Sequence, residues 1–201
     1  MKRCAMIVVL VASISAAGEV LALTGEEAVA KFNNRMLSIG SMTGVVSWIT
    51  TGGNSYTGTF QYLAPDKIYV KFSNPSGKII ASNGKTLWVY NPYSSVCGIQ
   101  DLAKGGSGGL SGIISGYRSI ATETPGGVTI LLKHSERPFS EINLYLDQTY
   151  FLKRAVLRTS DGATFSLALS NVKTGLNLVP SIFSFRVPHD TQTVKNPLNM
   201  K

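Results

Sequence analysis

Apolar and polar residues alternate with a period of two through most of this chain. Around Lys67, the side chains of Ile68, Val70 and Phe72 point one way. Those of Lys67, Tyr69, Lys71 and Ser73 point the other. The pattern predicts strands over Thr43–Thr50, Tyr56–Leu63, Lys67–Ser73, Lys78–Ser82, Thr86–Asn91, Val128–His134, Glu141–Leu146, Phe151–Thr159, Thr164–Ser170 and Ser181–Val187. Turn residues separate most of them. Asn74-Pro75-Ser76-Gly77 and Ser160-Asp161-Gly162 are examples, and Asn83-Gly84 is a strong hairpin signal because both residues tolerate positive φ. One stretch before the strands has helical spacing. Thr24-Gly25-Glu26-Glu27 reads as a capping box, Val29, Phe32 and Met36 share a face, and Gly40 is a plausible stop.

Gln100 to Thr122 interrupts the alternation. Leu110, Ile113, Ile114 and Tyr117 fall at i, i+3, i+4 and i+7, but Gly105, Gly106, Gly108, Gly109, Gly112 and Gly116 are interspersed. Each glycine costs a helix about 1 kcal/mol. This segment predicts a marginal amphipathic helix that behaves as a lid, held by whatever its apolar face touches. The expected fold class is therefore mainly β with α (α+β). About ten antiparallel strands form a curved sheet, with amphipathic helices on its concave side. The helices either pack flush or leave an apolar cavity; the pattern allows both.

The N-terminus changes the picture of where the protein works. Lys2 and Arg3 precede an apolar run from Ala5 to Ala17, too short to span a bilayer, and Val20-Leu21-Ala22 offers small residues for cleavage. Residues 1–22 read as a secretory signal peptide and 23–201 as a single domain. Cys4 would leave with the leader, so Cys97 remains alone and no internal disulfide is expected. The formal charge is +8; loss of Lys2, Arg3 and Glu19 leaves +7. A basic exported protein favours anionic lipid surfaces or acidic partners, and nucleic acid is not an expected partner.

Candidate chemistry is sparse. His134 ends a strand and His189 lies in a polar segment. There is no Cys/His metal spacing and no Gly-x-Ser-x-Gly elbow. The glycine run lacks the Gly-Lys-Ser/Thr ending of a phosphate loop, Lys104 preceding the glycines instead. The reading is a binder with no cofactor, not an enzyme.

Pro75-Ser76-Gly77-Lys78-Ile79-Ile80-Ala81-Ser82-Asn83-Gly84-Lys85-Thr86-Leu87-Trp88-Val89-Tyr90-Asn91-Pro92 resembles the signature of the LolA-type periplasmic carriers of outer-membrane lipoproteins. Phe183-Ser184-Phe185-Arg186-Val187-Pro188 is similar to that family's last strand. The resemblance implies an unclosed β-barrel with a helical lid. It implies a cavity for lipoprotein acyl chains, loading by an inner-membrane ATP-driven lipoprotein exporter, and release to an outer-membrane acceptor or membrane surface. The same fold also implies an alternative, a lipid- or lipoprotein-sensing regulatory module, or a lipid-free structural one. Where the family often has a lid-contacting arginine this chain has Ala64, which implies another contact or weaker closure. The expected lining is Phe60, Tyr62, Ile68, Val70, Phe72, Leu87 and Val89, with Leu110, Ile113, Ile114 and Tyr117 on the lid. The opposite face, with Trp88 and Tyr90 inward, is equally allowed by alternation.

Overall fold

The capping box forms as its spacing predicts. In the computed structural model, which describes residues 22–102 and 114–196, the Thr24 hydroxyl accepts from the Glu27 amide at 3.2 Å. The Glu27 carboxylate in turn accepts from the Thr24 amide at 3.0 Å. These bonds satisfy two donors that a helix start leaves open. Helix α1 then runs over Gly25–Ile39, buries Ala28, Phe32 and Met36, and ends at Gly40.

Twelve strands follow: β1 (Ser41–Thr50), β2 (Ser55–Leu63), β3 (Lys67–Asn74), β4 (Ser76–Asn83), β5 (Thr86–Asn91), β6 (Val96–Asp101), β7 (Arg118–Thr124), β8 (Gly127–Lys133), β9 (Phe139–Leu146), β10 (Leu152–Thr159), β11 (Thr164–Thr174) and β12 (Gln192–Lys195). They make one curved sheet in the order β12-β6-β5-β4-β3-β2-β1-β11-β10-β9-β8-β7. The two chain halves join where β1 pairs with β11. The sheet does not close: β12 and β7 are its edges. All ladders are antiparallel except that of β12, which lies parallel to β6. The β4–β5 turn forms at Asn83-Gly84. Gly84 has φ of +90°, and the Asn83 side-chain oxygen accepts from the amides of Lys85 and Thr86, both at 2.9 Å.

Three expectations need correction. Strands β6, β7 and β12 are absent from the alternation reading. The interrupted segment is shorter than expected, because Gln100 and Asp101 belong to β6 and Arg118–Thr122 to β7. Of the expected helices α1 is present, and most of the predicted lid lies outside the described residues, although Ile114 is helical and buried in the same core. Ser181–Val187 is no strand: Pro180–Phe183 forms a 3-10 turn, and the chain crosses the convex face without joining a ladder until β12.

Candidate functional site

Ladder register assigns the faces. On one face Phe60 pairs with Val70, Val70 with Ile80, and Ile80 with Val89. Tyr62 pairs with Met42 on one side and Ile68 on the other. The same face continues through Val46–Leu169 and Trp48–Leu167 into Ala155, Leu144 and Ile130. Phe32 and Met36 of α1 pack into this set, and it forms the main core. It is the concave side. The N-terminal end of α1 sits against β7, where a Cβ on Gly25 would collide with the Ser119 carbonyl oxygen. Its C-terminal end reaches β2. There the Tyr62 hydroxyl donates to the Pro65 carbonyl at 3.0 Å, with the Met36 carbonyl 3.4 Å away. Burial, helped by Asp66, pushes the Tyr62 phenol up to about 12, so it stays a donor.

The predicted lining residues divide by position. Phe60, Tyr62, Val70 and Phe72 are buried in the core that α1 closes. Ile68 and Leu87 are half-buried on the same face. Val89 is 45% exposed, a large aliphatic side chain open on the concave side. Ile114 is buried and Tyr117 half-buried. Leu110 and Ile113 lie outside the described residues. The Ala64 amide donates to the Gly40 carbonyl at 2.7 Å, which ties the end of β2 to the exit of α1.

Helix and sheet do not pack flush everywhere. An open cleft of about 440 Å³ lies beside α1, lined by Val29, Ala30, Ile114, Tyr117 and Leu132, with Glu26, Asn33, Ser115 and Ser119 at its polar margins. A second, of about 290 Å³, lies over β1–β5 and includes Trp48, Tyr56, Phe72, Lys78, Ile80 and Val89. Aromatic side chains meet in two groups on this side. Tyr56 meets Phe72 at 5.8 Å, Trp48 meets Phe165 at 5.9 Å, and Phe165 meets Phe139 at 6.4 Å. The Tyr117 hydroxyl donates to the Phe139 carbonyl at 2.8 Å, and burial raises the Tyr117 phenol. Trp48, Tyr56, Lys78, Ile80 and Phe165 share the concave side but fall outside the lining expected from the sequence. Alternation marks Trp48, Tyr56, Ile80 and Phe165 as strand residues, but only the register between strands assigns their face.

The convex side resolves the alternative that alternation left open. Trp88 pairs with Ala81 and Ile99, on the side away from Phe60. Phe183 and Phe185 come down on this side: Phe183, Cys97 and Ala81 are completely buried, and Tyr90 stacks on Phe185 at 5.5 Å. Burial pushes the Cys97 thiol up. Trp88 and Tyr90 therefore belong to a seal beneath the C-terminal segment, not to the concave lining.

The family profile of the outer membrane lipoprotein carrier protein LolA matches residues 49–186. The chain belongs to the LolA family. The matched region begins near the end of β1 and includes Phe183 and Phe185 of the convex seal, while α1 and β12 lie outside it. Among solved structures, an uncharacterized conserved protein from Thermus thermophilus is 17% identical with a TM-score of 0.53. The alignment covers 85% of this chain and 98% of that one. A LolA superfamily protein from Nitrosomonas europaea is 14% identical with a TM-score of 0.48, over 82% of this chain and 99% of that one. At such identities these likenesses are of fold. No curated protein matches the chain by sequence.

Proposed function

We propose that this LolA-family protein is a periplasmic carrier that holds lipoprotein acyl chains against its concave side and moves them from the inner to the outer membrane. The observation that carries this reading is the concave side itself. It is an apolar sheet face, closed by α1 at one end and left open as clefts where Val89, Trp48, Ile114 and Tyr117 sit. Residues 1–22 act as a cleaved leader and 23–201 as one exported domain that performs no catalysis.

Magnitudes shape the mechanism. Each methylene withdrawn from water is worth about 0.8 kcal/mol, so several long chains exceed the roughly 18–21 kcal/mol ceiling of noncovalent affinity. Water is therefore the wrong reference. The competitor is the bilayer, which is as apolar as any protein cleft, and exchange between the two is near neutral. Net extraction needs an energised partner. Loading by an ATP-driven exporter of the inner membrane, followed by passive release to an outer-membrane acceptor or the membrane surface, meets that need.

The test is transfer of a labelled lipoprotein from inner-membrane vesicles through the protein to acceptor membranes, with mass spectrometry of lipid that co-purifies from the periplasm. Ile114→Asp places a carboxylate in the larger cleft and should abolish loading while secondary structure persists by circular dichroism. Undiminished loading by this variant removes that cleft from the pathway. Absence of both transfer and bound lipid in the parent protein ends the carrier reading.

A further inference from the structure

Lys78 is out of place by charge. Alternation along β4 and the lining of the smaller cleft place it with Ile80 on the concave side. Every other position that β1–β5 direct to that side is uncharged, from Met42, Val46 and Trp48 to Leu87 and Val89. Its ammonium sits 4.3 Å from the centroid of the Tyr56 ring and donates to the Tyr56 hydroxyl at 3.1 Å. Among the described residues no carboxylate pairs with it; the ion pairs there are Lys133–Glu141 and Lys153–Asp147.

A ring face and a phenol hold a cation in place without neutralising it. Half-buried at the mouth of an apolar trough, an ammonium so held favours an anion more than it would in open water. The trough beside it, with Trp48, Phe72, Ile80 and the exposed Val89, offers about 290 Å³. That is near the lower end of ligand pockets, about 300–1,000 Å³, and suits one hydrocarbon chain better than several.

We infer that this trough is a subsite for a single-chain anionic amphiphile, its carboxylate or phosphate head on Lys78 and its alkyl tail along Trp48, Phe72, Ile80 and Val89. The inference rests on the reading above, that the concave side takes acyl chains, and adds a selectivity for head charge which an apolar face alone does not have.

Isothermal titration of the purified protein with decanoate, decyl phosphate, decan-1-ol and inorganic phosphate, each amphiphile below its micelle-forming concentration, separates head from tail. Both anionic amphiphiles should bind at least tenfold tighter than the alcohol, and inorganic phosphate alone should give no measurable binding. Lys78→Met should bring the anions to the alcohol's level without changing the alcohol, and Lys78→Arg should restore the preference. Equal binding of anion and alcohol by the parent protein overturns the subsite, as does a preference that survives Lys78→Met. Inorganic phosphate binding as tightly as decyl phosphate overturns it too, since the tail would then contribute nothing. If none of the three amphiphiles binds, the concave side takes no alkyl chain and the carrier reading falls with the subsite.

Discussion

The two sides of this sheet are packed in opposite ways. On the convex side Phe183, Ala81 and Cys97 are all fully buried. On the concave side α1 covers one end and leaves Val89, a residue of comparable hydrophobicity, 45% exposed. The convex seal is local, since Ile49 on the same side is exposed, but where Phe183 sits it is complete, and the apolar clefts lie on the other side. Close packing is where stability resides, and open apolar surface of this kind is characteristic of binding sites.

Removing the plug from the closed side should have the largest effect. Phe183→Ala should cost about 3–5 kcal/mol through the cavity it leaves. That lowers the melting temperature by roughly 6–20 °C for a domain of this size. Cys97 should then react with a thiol reagent under native conditions, having been protected before. A thiol that stays inert, with melting little changed, would show that the convex seal does not depend on Phe183.

A smaller change tests whether the sides are independent. Thr24→Ala removes the hydroxyl that caps α1 and should cost about 1 kcal/mol, a shift of about 2–4 °C. Cys97 should remain unreactive, because α1 touches only the concave side. Reactivity appearing in this variant would mean that loosening one side loosens the other.

The smallest expected effect is acid sensitivity at the turn after β9. Burial alone would raise the Asp147 carboxyl, but it accepts from the Thr149 hydroxyl and from the amides of Phe151 and Thr149, with Lys153 nearby, and is held below its usual range. A lowered carboxyl stabilises the fold above its unfolded value of about 3.9. The contribution is lost as pH falls through the lower folded value. Phe151, which this turn positions, belongs to the core beneath α1. Asp147→Asn should melt below the parent protein at pH 7, the gap closing as pH falls below the unfolded value. A gap that is constant with pH would assign the effect to packing.

The sequence revealed the strands whose two sides differ. β1, β2, β3, β8 and β9 bury every second residue along most of their length, so apolar residues recur with a period of two. The edge strands lack this contrast. All four residues of β12 are exposed, and β7 carries Arg118, Glu123 and three exposed positions besides. β6 contains Gly98 in place of a side chain. Ser181–Val187 misled in the other direction. Phe183 and Phe185 alternate with Ser184 and Arg186 as in a strand, but Pro180 starts a 3-10 turn and the aromatic residues serve as plugs. For the candidate site, alternation placed Phe60, Tyr62, Val70 and Phe72 together on one side. It could not choose between that side and the one with Trp88, because the choice depends on where Phe183 lands, far along the chain. Nothing local to Lys78 shows that Tyr56, from another strand, lies beneath its ammonium.

Because β7 and β12 never meet, the sheet can alter its curvature without breaking a hydrogen bond between strands. A sealed cylinder of equal width could expand only by shearing its own ladder. Here the two rims are not laced to each other, so no ladder fixes the distance between them.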